Sequence, residues 1–234
     1  MSEAVGRDLV RRVASDFGIK SDLAAGPALA LGVSESTLID MTGAYAGILN
    51  GGSAVKPYGL VDLRLQGDDT PLMGQDGGMG ERVISDQAAQ ELTYMLTQVV
   101  EQGTGRRAAL PDRQVAGKTG TTQAARDAWF IGYSADYVAG VWMGYDDNTP
   151  LTGVTGGGLP AEIWREVMVR VHEGLPPAPL PMIVPAPRLP PQAAAPSQAR
   201  TSAQPPQTAP VAASADTRNE GLLRNVLGVL SGNN

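Results

Sequence analysis

Apolar positions recur with a helical period in five stretches of this chain and alternate in others. Val5, Leu9, Val10 and Val13 share one face of a helix predicted over 5–17. Leu38, Met41, Tyr45, Ile48 and Leu49 line a second helix, which Ser36 or Thr37 can cap and Asn50-Gly51-Gly52 stops. Val61, Leu63 and Leu65 alternate with Asp62, Arg64 and Gln66, the pattern of a half-buried strand, and 74–80 reads as a glycine-rich loop. Ser85-Asp86 opens a third helix with Ala88, Ala89, Leu92, Met95, Leu96, Val99 and Val100 apolar, ended by Gly103. Three short strands are predicted over 114–122, 127–133 and 137–145, spaced as antiparallel neighbours. Pro160 then starts a last helix whose predicted buried face is Ile163, Trp164, Val167, Met168 and Val171. Helices, then an antiparallel sheet, then a helix against it make an α+β fold.

Composition places the domain boundary. Every aromatic residue lies at or before Trp164, and twelve of the eighteen prolines fall between Pro176 and Pro210. A packed domain is therefore expected over 1–174, followed by a Pro/Ala/Gln-rich disordered tail over 175–234. Leu222, Leu223, Val226, Leu227 and Leu230 form one apolar stripe in that tail, a short terminal helix over 220–231. Gly221 and Gly228 make it marginal by itself, and a docking handle is the alternative.

Charge follows the same division. The tail carries a net of +2, which leaves −8 on residues 1–174 out of −6 for the whole chain. An acidic body without a basic stripe argues against nucleic acid as a partner. The absence of cysteine removes disulfide and thiolate chemistry, and with one histidine a zinc site is not expected. The first residues lack the apolar core of a signal peptide, and no apolar run is long enough to span a bilayer. As written, the chain is expected to remain in the cytoplasm.

The candidate chemistry centres on Gly117-Lys118-Thr119-Gly120-Thr121-Thr122. A phosphate-binding Gly-x-x-x-x-Gly-Lys-Thr loop is excluded here. Asp112 occupies its first glycine position, and no helical period follows Lys118. An edge strand with an exposed lysine is the plain alternative for three such letters.

The context decides between them. Leu31-Gly32-Val33-Ser34-Glu35 is followed by Asn50-Gly51-Gly52 leading to Lys56-Pro57-Tyr58, then Gln102-Gly103-Thr104-Gly105-Arg106. After the lysine segment come Asp127-Ala128-Trp129-Phe130-Ile131-Gly132-Tyr133, Val141-Trp142-Met143-Gly144-Tyr145-Asp146, and Gly157-Gly158 before Ile163-Trp164. In this order the pieces resemble class A penicillin-binding proteins, the bifunctional peptidoglycan synthases, over nearly all of residues 3–170. The resemblance implies part of a penicillin-binding, serine β-lactamase-like transpeptidase fold, an antiparallel sheet flanked by helices.

It also implies the ligands: a peptidoglycan stem peptide ending in D-Ala-D-Ala, and β-lactams, with no cofactor. Lys118 would supply positive charge at the terminal carboxylate, and Thr119 and Thr121 would supply hydroxyl donors. Gly120 would let the substrate backbone lie close to the strand. The backbone N–H of Thr121 would be half of the oxyanion hole. By the same resemblance the parent protein would sit in the inner membrane facing the periplasm.

Two companions of this motif, a Ser-x-x-Lys nucleophile and a Ser-x-Asn segment, are not credibly present. Ser53-Ala54-Val55-Lys56 has the first pattern, but in a stretch read as a glycine-to-proline turn, where Pro57 disfavours helical geometry at Lys56. Ser231-Gly232-Asn233 has the second, but at the end of the tail. His172 is expected to be a solvated helix-end residue, and Asp146-Asp147 a turn. The chain therefore reads as the rear part of a D,D-transpeptidase domain, separated from its N-terminal half and inactive alone. The alternative is a non-catalytic module that binds D-Ala-D-Ala peptides or β-lactams. A self-contained acyl-transfer enzyme using Ser53 ranks last.

Overall fold

The computed structural model describes residues 2–74 and 77–186, and its organising element is a three-stranded antiparallel sheet. The helix predicted at the start is two helices, α1 (Ser2–Val5) and α2 (Arg7–Asp16). Gly6 between them has φ 93°, a left-handed conformation that ends the first turn. No residue of α2 is fully buried: Leu9 is exposed, and Val10 and Val13 are half-buried.

Helix α3 (Leu38–Leu49) begins where Thr37 accepts a hydrogen bond from Asp40 N–H at 3.1 Å. Strand β1 (Ser53–Lys56) follows, in place of the turn expected there. β2 (Asp62–Arg64) and β3 (Pro71–Gly74) form a hairpin, and β4 (Gly78–Arg82) returns to pair antiparallel with β1. Gly74 and residues 78–80 of the glycine-rich stretch read as a loop are thus strand. Leu63 and Met73 face each other across the hairpin at 46% and 54% exposure. The β2 alternation marks pairing, not half-burial.

Helix α4 (Asp86–Glu101) starts with Ser85 accepting from Ala88 N–H and buries Ala89, Thr93, Leu96, Thr97 and Val100. The sheet is β5 (Ala116–Thr121), β6 (Asp127–Tyr133) and β7 (Val138–Gly144), in that order, with β5 at one edge. Its register pairs Thr119 with Phe130 and Phe130 with Val141. Helix α5 (Leu159–Val171) closes the order.

Alternation along the strands separates two cores. On one face Phe130 packs edge-to-face on Trp164 of α5, ring centroids 5.2 Å apart, among Val100, Ala108, Val115, Ala161 and Met168. On the other, Tyr133 packs with Leu96, Ala116 and Leu180 beneath Tyr45 and Ile48 of α3. The buried face of α5 is Pro160, Ala161, Trp164 and Met168. Ile163, Val167 and Val171, assigned inward by periodicity, are exposed. The helix carries two apolar stripes, and the sheet takes the one whose indole reaches Phe130 and donates to Ala139 O at 3.0 Å.

The residues just after α5 stay packed. Leu180 is buried, its N–H bonded to the Gln114 side chain at 2.9 Å. Composition alone assigns this stretch to the tail, because three prolines around Leu180 mask one good anchor. The stripe over 220–231 and Ser231-Gly232-Asn233 lie outside the described residues. Among the described residues no helix is long and apolar enough to cross a membrane.

Candidate functional site

Strand β5 carries all four residues singled out from the sequence. Thr122 N–H bonds Asp127 O at 3.0 Å, continuing the β5–β6 register. In an antiparallel ladder the direction of the backbone groups alternates, so Thr119 and Thr121 turn theirs to the outer edge of the sheet. Their side chains share one face with Phe130, and Lys118 and Gly120 lie on the other. Lys118 is exposed and curls back to the edge, its Nζ 2.7 Å from Thr119 O. The strand thus gathers an ammonium, two hydroxyls and the outward N–H groups of Thr119 and Thr121 along one edge.

Neighbouring segments hold the two threonines. Thr119 Oγ1 lies 2.7 Å from Thr104 Oγ1, in the loop that ends α4. Thr121 Oγ1 accepts a hydrogen bond from Gly156 N–H at 3.0 Å. A Cβ on Gly156 would overlap the carbonyl oxygens of Trp129 and Gly120, and one on Gly157 would overlap Thr104 O. Only bare backbone fits so close to the strand. Neither Thr104 nor Gly156 was identified from sequence as touching the site. The signal for Thr104 was present, since it is the one hydroxyl in the Gly103-Thr104-Gly105 turn.

The other sequence candidates resolve differently. Ser53 and Lys56 lie on a strand, so their Cα atoms are about 10 Å apart, against about 5–6 Å between Cβ atoms one helical turn apart. The turn expected there is wrong, because β4 supplies a pairing partner 22–29 residues away in sequence. The separation still denies Lys56 the serine's proton. Of Lys20, Lys56 and Lys118, only Lys56 has a serine three residues before it.

His172 is buried, not solvated. Its Nε2 meets Ser134 Oγ at 2.7 Å, its Nδ1 meets Met168 O at 2.6 Å, and the Tyr137 ring covers it edge-on. This is no Ser/His/Asp triad. Asp136 approaches the same Nε2, at 3.8 Å, where a triad needs the carboxylate on Nδ1, and Ser134 is enclosed. Asp146 and Asp147 sit in a turn, where hydrogen bonds from Thr149 hold the Asp147 carboxyl below its ordinary range.

Charge and clefts elsewhere do not compete with β5. Asp112, lowered by its hydrogen bond to Arg113, borders a cleft of about 440 Å³ with Glu101, Leu110 and Pro177–Pro179, at the far end of β5 from Thr121. Among the described residues no cluster of three His, Cys, Asp or Glu side chains could hold a metal ion.

A family model described as the penicillin-binding protein transpeptidase domain matches residues 12–169. Penicillin-binding protein 1A of Aquifex aeolicus is 35% identical over 167 residues, covering 71% of this chain and 23% of that protein. The crystal structure of penicillin-binding protein 1A from Haemophilus influenzae superposes with a TM-score of 0.67 at 25% identity, over 76% of this chain and 32% of that one. PonA1 from Mycobacterium tuberculosis, solved in complex with penicillin V, gives 0.60 at 26% identity, over 72% and 50%. The chain spans about a quarter of the length of the first curated relatives.

Proposed function

The chain belongs to the family of penicillin-binding protein transpeptidase domains, with class A relatives, and on that premise we propose that β5 is the carboxylate-holding wall of a peptidoglycan D,D-transpeptidase site. The observation that carries this reading is the pair of hydroxyls, Thr119 and Thr121, on one face of an edge strand that also turns the Thr121 N–H outward. The substrate is a stem peptide ending in D-Ala-D-Ala. Both hydroxyls donate to its terminal carboxylate, and Lys118 supplies the positive charge that makes those bonds charge-assisted.

Holding the carboxylate fixes the neighbouring carbonyl against the outer edge. When a serine oxygen attacks that carbonyl, negative charge collects on the carbonyl oxygen beside Thr121 N–H. One such donor is worth about 3 kcal/mol in the transition state. The amide bond to the last D-Ala then breaks, and the ester left on serine passes to an acceptor amine. The attacking serine and its lysine belong to sequence outside these 234 residues, in a longer protein at the outer face of the inner membrane. Alone, the chain binds and does not acylate. β-Lactams carry the same carboxylate, and the penicillin V complex of PonA1 supports them as ligands of this wall.

The test is binding of an N-acyl-D-Ala-D-Ala dipeptide and its C-terminal amide to the folded chain. The acid should bind more tightly, and Lys118→Ala should remove about tenfold of that preference. Equal affinity for acid and amide would overturn the carboxylate wall. Intact-mass analysis after incubation with a β-lactam should find unmodified protein, and an adduct on Ser53 would overturn the missing-nucleophile reading.

A further inference from the structure

Hydroxyl groups are poor anchors unless something decides where their single proton points. At Thr121 the backbone does so: Gly156 N–H fills a lone pair of Oγ1, leaving the hydroxyl proton for an outside acceptor. Among the described residues no N–H does the same for Thr119. Its Oγ1 partner is another hydroxyl, Thr104, at 2.7 Å, and either oxygen can donate.

Thr104 is held firmly for a loop residue. Gly103 N–H bonds Gln98 O at 2.9 Å, and Gly105 N–H bonds Val99 O at 2.8 Å, so the chain on both sides of Thr104 is tied to the last turns of α4. Arg106 Nη2 reaches Gln102 O at 3.1 Å. On the far side, Gly157 packs so tightly on Thr104 O that a Cβ would not fit. Helix α4, strand β5 and the turn before α5 therefore interlock at this hydroxyl pair.

We propose that Thr104 is a positioning residue of the carboxylate wall: its hydroxyl donates to Thr119 Oγ1 and thereby turns the Thr119 proton outward to the ligand's carboxylate. The inference rests on the carboxylate reading of β5. An anion at the outer edge selects this direction of the pair, because each bond of the chain Thr104 to Thr119 to carboxylate polarises the next. Thr119 then matches Thr121, each with its acceptor side filled by protein and its proton free for the same ligand. Without the Thr104 hydroxyl, the Thr119 proton has no fixed direction and loses the polarisation of its neighbour.

The experiment measures dissociation constants of N-acyl-D-Ala-D-Ala and of its C-terminal amide for the full chain and for Thr104→Val, Thr104→Ser, Thr119→Val and the Thr104→Val/Thr119→Val pair. Thr104→Val keeps the shape and removes the hydroxyl. It should weaken acid binding about 5–10-fold, leave amide binding unchanged, and be restored within about twofold by Thr104→Ser. In the Thr119→Val background the same change should have no further effect, since Thr104 acts through Thr119. An acid preference that survives Thr104→Val intact, or an equal loss with and without Thr119, overturns the positioning role and leaves the wall standing. A wild-type chain indifferent to acid and amide overturns the wall, and the role of Thr104 with it.

Discussion

His172 Nε2 sits 2.7 Å from Ser134 Oγ, and the pair ties the β6–β7 turn to the end of α5. Ser134 Oγ also accepts from Asp136 N–H at 3.1 Å and Tyr137 N–H at 3.2 Å, which uses its lone pairs and leaves its proton for the histidine. On the other side of the ring, Nδ1 lies 2.6 Å from Met168 O, to which it donates. The work of this cluster is to fasten a turn.

Ser134→Ala should accordingly lower stability by about 1–3 kcal/mol, the cost of leaving buried partners unsatisfied. Urea unfolding measures it. The dipeptide affinity of the folded protein should not move, because the turn lies at the end of the sheet where Ala116 pairs with Tyr133, the opposite end of β5 from Thr121. A parallel loss of binding at unchanged stability would contradict this assignment.

Alkaline stability should depend on Tyr133. Burial pushes its hydroxyl up to about 12 from 10.0, only partly offset by its hydrogen bond with Thr93 at 2.9 Å. The raised value means that the folded state disfavours the phenolate. This contribution is complete below pH 10, and falls away as pH rises toward 12. Two units correspond to about 3 kcal/mol. Burial raises Tyr45 in the same sense. Phenolate absorbance from these two rings should therefore appear together with unfolding, whereas ionisation of both at pH 10 in a folded chain would refute it.

Gly156→Ala tests how closely the turn before α5 must approach β5. The added Cβ meets two backbone oxygens, of Trp129 and Gly120, neither of which can swing aside. The turn must lift, at a cost of about 1–3 kcal/mol, and the bond to Thr121 Oγ1 is lost with it. Melting temperature and dipeptide affinity should both fall, unlike the result for Ser134→Ala.

The β5–β6 connection holds two alanines in left-handed backbone, Ala124 at φ 60° and Ala125 at φ 51°. Such residues cost about 1 kcal/mol or more when they carry a Cβ. Ala124→Gly should raise stability modestly or leave it even, since glycine also gains freedom in the unfolded chain. A clear loss on urea titration would mean that the methyl group packs usefully.

The sequence determined the strong local elements by itself. Ser85 and Thr37 cap helices where their hydroxyls predict, and the three sheet strands and Pro160 helix start lie within two residues of expectation. The lysine-threonine segment and its family were also legible, because ordered short motifs survive without contacts being known. What alternation or periodicity could not supply was the identity of the neighbour. Ser53–Lys56 is a strand because β4 returns to it, and His172 is buried because the Ser134 turn folds over it. Trp164 faces inward and Ile163 outward because Phe130 stands on one side of α5. Thr104 meets Thr119 across fifteen residues of chain for the same reason. Period and capping are properties of a few consecutive residues, whereas burial and hydroxyl pairing belong to surfaces that only the folded chain brings together.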